Sequence, residues 1–173
     1  MREVAVLSGS GSLASSVNIS PLETEPAWPL TGAAQYANKC LFDYKTARAV
    51  VYNLSDKHIE CSSVLKSGNI SEVCGHMTHS SCRYVVVRKT RKSRWLQKES
   101  VTVVLVWLPR DAPLAERVKY RARLADFCAQ LGHYDHVVAI NEWYDFSRST
   151  IMARISEEAK AAAKREKRLS APL

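Results

Sequence analysis

The sequence predicts a mixed α/β (α+β) fold: one sheet in a single domain, flanked by helices on both faces. Three observations carry this. Residues 101–107, "VTVVLVW", form an unbroken apolar run, as expected of a strand covered on both faces and central in its sheet. Just before it, "CRYVVVRKT" (82–90) is dense in β-branched residues, so the two segments read as a hairpin across a charged connection. After it, residues 112–131 follow helical periodicity and stop at Gly132, a common helix terminator.

The remaining elements follow in chain order. Residues 1 to about 30 are rich in Ser, Gly and Pro, and Pro21, Pro26 and Pro29 argue against a long helix there. "GAAQYANKCLFDYKT" (32–46) repeats Tyr36, Cys40 and Leu41 at helical spacing. "RAVVYNL" (48–54) and "IECSSVL" (59–65) read as strands joined by the turn "SDKH", since Ser and Asp bond their own backbone in turns. "NISEVCGHM" (69–77) is a short helix. "VVAINEW" (137–143) is a further strand, and residues 147–169 open on a serine-rich cap and continue as a helix that is polar all round in its later part. The order is helix, hairpin, short helix, hairpin, long helix, strand, helix.

Net charge is +8, which favours an acidic partner such as nucleic acid, anionic lipid or an acidic protein surface. The five cysteines are odd in number and irregularly spaced, so reduced thiols in an intracellular compartment are expected rather than a disulfide framework. No apolar run reaches the roughly 20 residues of a membrane span, and residues 1–20 make a poor signal peptide.

Enzymatic chemistry finds no motif here: there is no phosphate-binding glycine loop and no Gly-x-Ser-x-Gly elbow. "CGHMTHSSC" offers Cys74, His76, His79 and Cys82 to zinc, but the spacing is too tight for a usual structural site. A loop with surface histidines is the plainer reading. His133, Asp135 and His136 sit where such residues usually satisfy backbone, and Cys128 lies on an apolar helix face.

The hairpin "RKTRKSRWLQK" (88–98) carries six Lys/Arg, no acid and Trp95. Such a loop suits phosphates with base stacking, or an acidic protein groove anchored by the Trp; a solvated edge loop explains it equally. On the long helix, Leu114, Val118, Ala122, Ala125 and Ala129 form one apolar band, and Tyr120, Leu124, Phe127 and Leu131 a second. Glu116, Lys119, Arg123, Asp126 and Gln130 make the face expected to be solvated. Arg117 and Arg121 fall between the apolar bands, where an arginine must snorkel or find a partner. Arg117 also lies in the first turns, where the helix dipole disfavours a cation.

In these segments the chain resembles the actin-depolymerising factor/cofilin family. The resemblance rests on "CRYVVV", the charged loop, "VTVVLVWLPRDAPLAERVKYRARLADF" and "RSTIMARIS", in family order and at near-family spacing. Its most specific part is the turn made by Trp107, Pro109, Ala112 and Pro113, with Tyr120 downstream. "AVVYNLSDKHIE" (49–60) is similar to the family's first hairpin, and "LASSV" (13–17) to its initiating segment.

The resemblance implies a single ADF-homology domain over 13–156, a flexible leader over 1–12 and a basic helical or frayed tail over 157–173. It implies actin monomer and filament as partners, anionic phosphoinositides as a further partner, and no DNA. It implies a monomer, cytoplasmic with the nucleus allowed, that promotes filament disassembly and is not an enzyme. No cofactor and no metal are implied.

By the same resemblance, Pro113, Leu114, Arg117, Val118 and Arg121 form the actin-binding helix start. Lys89, Arg91, Lys92, Arg94 and Lys98 form the filament-contacting loop, joined by Arg154 in the last helix. Ser15 matches a regulatory phosphorylation site, here preceded by the leader.

The chain departs from the family pattern at named positions. Ala115 stands where the first of two basic residues is usual, Val118 replaces a Met, and Ala153 replaces a Glu. Losing one charged contact costs about 1–3 kcal/mol, so a weakened affinity is expected, with the basic loop as compensation. Two other functions remain open: a basic nucleic-acid-binding or ribonucleoprotein subunit, and a cofilin-fold scaffold or phosphoinositide-binding module.

Overall fold

The computed structural model describes residues 26–92 and 98–169. Its elements are α1 (Gly32–Phe42), β1 (Ala49–Ser55), β2 (His58–Leu65), α2 (Ile70–Cys74), β3 (Arg83–Lys92), β4 (Lys98–Trp107), α3 (Leu114–Leu131), β5 (His136–Ile140) and α4 (Arg148–Leu169), with a 3₁₀ turn at Trp143–Asp145. This is the order expected from sequence. The differences are at boundaries. Residues 98–100, expected in the connection, extend β4 and pair with 90–92 of β3. β5 stops at Ile140, and Trp143 enters the 3₁₀ turn instead.

The five strands lie in the order β2-β1-β3-β4-β5. β1 pairs antiparallel with β2 and β3, β3 antiparallel with β4, and β4 parallel with β5. β4 is therefore an interior strand, as its apolar run requires, although β3 holds the middle of the sheet. A parallel pair needs a long crossover, and α3 supplies it between β4 and β5. The β1–β2 turn is two residues long, with Asp56 and Lys57 both at positive φ (39° and 66°), the geometry that matches the twist of a tight hairpin.

Alternation along the strands divides the core into two layers. Val50, Tyr52, Tyr84, Val86, Val104 and Val106 point to one face, where α1 and α3 cover them. Ala49, Val51, Val85, Val87, Leu105 and Trp107 point to the other, under α2, Phe146 and α4. On the first face Tyr84 stacks on Phe127 (centroids 4.4 Å, 15°), and Tyr52 meets the same ring edge-on at 5.1 Å. Helices thus cover both faces, as predicted.

Candidate functional site

The start of α3 is held by the end of β4 and the turn after it. Trp107 is buried and its indole N–H donates to the Thr78 carbonyl at 2.7 Å. The Leu108 N–H donates to the Ile140 carbonyl (2.9 Å), and Ala112 N–H to the Pro109 carbonyl (3.1 Å). Pro113 then enters the helix at φ −53° and ψ 139°, close to the angle its ring imposes. Glu116 in the first turn accepts the Cys82 N–H at 2.8 Å, tying the helix to the start of β3. Burial, then the neighbouring Glu116 carboxylate, push the Cys82 thiol up to about 12.

Further along, Tyr120, Phe127, Cys128 and Leu131 face the sheet and are buried. At the far end Gly132 takes a positive φ of 83°, a conformation that costs a residue with a Cβ.

The outward face of α3 differs from the expectation. The residues expected to be solvated are covered: Glu116, Lys119, Arg123, Asp126 and Gln130 are all half-buried. The segment before α1 packs on them. The Trp28 ring lies under Lys119 Nζ (4.8 Å) and the Arg123 guanidinium (4.9 Å), a cation–π arrangement. Gln130 donates to the Trp28 carbonyl (2.7 Å) and accepts the Leu30 N–H (3.1 Å). The solvated face is instead the first apolar band. Leu114 is 67% exposed and Val118 56% exposed, and Arg121, Ala122, Ala125 and Ala129 are exposed beside them.

Of the residues expected at the helix start, Pro113, Leu114, Val118 and Arg121 are all exposed on this one face. Arg117 is half-buried at its edge. Its Nε is buried without a hydrogen-bond partner among the described residues.

The second expected set lies toward the other end of the sheet. Arg83, at the start of β3, pairs with Trp107 beside the helix start. Lys89 is six residues further along, about 20 Å at the usual strand rise. Lys89 is half-buried, and burial, then the neighbouring Arg148, hold its ammonium below the ordinary lysine range. Arg91, Lys92 and Lys98 lie on the paired ends of β3 and β4. Arg94 and Ser15 fall outside the described residues. Arg154 has an internal engagement: it pairs with Asp145 at 2.7 Å and donates to the Ala139 carbonyl.

The four residues considered for zinc do not converge. Cys74 Sγ contacts the Phe146 carbonyl at 3.6 Å. His76 bonds Ser63 at 3.1 Å. The His79 ring meets Trp143 at 4.4 Å, tilted by 34°, and Cys82 is buried just before β3. All five cysteines are unpaired.

This arrangement is an exposed apolar and basic helix face, presented by a rigid proline turn, with a basic hairpin at a distance. It is suited to docking a protein surface. Residues 31–156 match the family of cofilin/tropomyosin-type actin-binding proteins.

The chain belongs to that family.

Its solved structural relatives share the fold at low identity. A cofilin from Streptomyces griseoflavus superposes with a TM-score of 0.65 at 13% identity, over 74% of this chain and 96% of that one. The structure titled Eh twinfilin gives 0.66 at 14%, over 76% and 99%. Human coactosin-like protein gives 0.65 at 13%, over 78% and 92%. No curated protein matched the chain by sequence. Members of this cofilin-type family are actin-binding proteins, not enzymes.

Helical periodicity did not say which apolar band of α3 packs on the sheet, because two bands of similar character sit side by side. The buried band carries the aromatics Tyr120 and Phe127, and the exposed one is mostly alanine, which was the usable signal. Sequence reading also missed that Arg148 comes beside Lys89.

Proposed function

We propose that this protein binds actin monomers and filaments through the outer face of α3 and promotes filament disassembly. The observation that carries the reading is the helix start. Leu114 and Val118 stand in solvent beside an arginine, Arg117, whose Nε has no partner among the described residues. Arginine is enriched at interface hot spots, and apolar contacts around it exclude water once a partner docks. In this reading the β3–β4 hairpin and α4 touch a second actin subunit, and the basic hairpin steers the protein toward acidic actin. Ala115 lacks the usual positive charge, so affinity is about ten- to a hundredfold below that of a member with both cations. The protein acts as a monomer, and phosphoinositide membranes compete for its hairpin.

The test is the shrinkage rate of fluorescent actin filaments diluted below their critical concentration. Wild type speeds shrinkage in proportion to its concentration. An unchanged rate at saturating protein removes disassembly from the reading and leaves binding alone.

A further inference from the structure

β5 is the last strand of the sheet, and beside it the C-terminal half of α3 leaves an open groove of about 580 Å³. Leu124, Ala125, Cys128 and Ala129 form its helix wall, with Tyr134 and Val137 opposite. Leu124 and Val137 are half-buried against the core, and Cys128 is buried, so the floor is apolar. From Arg121 at one end to Gly132 at the other, the groove runs about 16 Å at the usual helical rise. Pockets of this volume and apolar character hold small molecules. Ala125 and Ala129 keep it open, since larger side chains at these exposed positions would occupy it.

The charge at the groove is of one sign. Arg121 is exposed at its end and has no ion pair among the described residues. Its neighbours three and four places along the helix are Arg117, Val118, Leu124 and Ala125. None is a carboxylate, and Arg117 repels it at the spacing where helix side chains meet. At the other end Asp135 follows Tyr134 in the chain, but it accepts the Thr102 N–H at 2.7 Å and lies 3.7 Å from His133. Burial pushes the Cys128 thiol up, and the Tyr134 hydroxyl beside it opposes that shift. The groove therefore joins an apolar floor to one unpaired guanidinium, an environment complementary to an apolar anion.

We propose that the groove between the C-terminal half of α3 and β5 binds an aliphatic carboxylate of the fatty-acid type. The carboxylate pairs with Arg121, whose planar fork of N–H donors matches its two oxygens. The chain lies along Leu124 and Cys128 toward Tyr134 and Val137, where removing it from water supplies the binding energy. The inference does not rest on the actin reading, although Arg121 belongs to both faces.

Titration of the full chain with decanoate, kept below its micelle concentration and followed by amide NMR shifts, tests it. The expected result is saturable movement of the Ala125, Ala129 and Gly132 amides. Binding is about tenfold weaker in Arg121→Gln and unchanged in Lys160→Gln, which removes the same charge from α4. The decisive variant is Ala125→Trp, which leaves net charge unchanged and fills the groove. Its dispersed amide spectrum shows that it folds, and Ala129→Leu is a second, smaller filling. Loss of binding in folded Ala125→Trp supports a built site. Equal binding by Ala125→Trp and wild type overturns the proposal, as does the absence of saturable shifts.

Two comparisons separate the carboxylate from other occupants. Octanol run beside octanoate is expected to bind less well to wild type and equally to Arg121→Gln. Octanol matching octanoate on wild type means apolar contact alone and overturns the carboxylate assignment. Perturbation of the same amides by monomeric actin, with no response to decanoate, assigns the groove to a protein interface and overturns the proposal.

Discussion

The backbone N–H of Leu54, near the end of β1, donates to the phenolic oxygen of Tyr120 at 2.9 Å. The Tyr84 hydroxyl donates in turn to the Tyr120 carbonyl. One residue of α3 thus clamps the helix to two strands, and with it the face that carries Leu114, Arg117 and Val118. Tyr120→Phe keeps the ring and removes the acceptor, leaving a strand N–H unmatched. The expected cost is about 1–2 kcal/mol, measured as a shift in the urea unfolding midpoint.

Val118 and Leu114 are exposed, so their substitution separates binding from folding. Val118→Asp changes stability by less than about 0.5 kcal/mol, because the side chain meets water on the free chain. It places a carboxylate where an apolar contact with acidic actin is proposed, and filament binding drops below detection. A large loss of stability in Val118→Asp would show that this face is packed.

Ala115 is exposed in the first turn of α3. Ala115→Lys supplies the cation that the family usually carries there. Affinity for monomeric actin rises about tenfold, read by fluorescence titration, and the gain shrinks with added salt.

Much of this architecture was legible in the sequence. The run from Val101 to Trp107 has no polar interruption except Thr102, and its short length and β-branched content mark it as a strand with both faces covered. Gly132 marked the end of α3 because a positive φ there suits glycine. The orientation of α3 was not legible. Its charged stripe, from Glu116 to Gln130, looks like a solvent face, yet each member has a local reason to be covered. Glu116 accepts a strand N–H, Lys119 and Arg123 lie over Trp28, and Gln130 bonds two backbone groups around Trp28. Periodicity sorts apolar from polar residues. It carries no information about a tryptophan ninety residues away in the chain that turns a charged stripe into an interface.

The raised Cys82 thiol, about 12 in the folded protein, gives an alkaline prediction. An unfolded thiol ionises near pH 8.5, so between about pH 8.5 and 12 the unfolded chain loses a proton that the folded chain keeps. Stability is therefore full below that window and falls as pH rises through it. Burial raises the Tyr52 and Tyr84 phenols in the same direction, which steepens the fall at the upper end. The urea midpoint is expected to be lower at pH 10.5 than at pH 8. Cys82→Ala, though less stable overall, loses less between the two.

The proposed role of the α3 start is tested most directly by actin co-sedimentation with wild type beside Arg117→Ala. Arg117 has no ion pair among the described residues, so its removal leaves no internal charge stranded and the variant folds. The account predicts that wild type pellets with filaments and that Arg117→Ala stays in the supernatant at the same concentration. Equal pelleting of the two proteins would contradict it and move the contact away from the helix start.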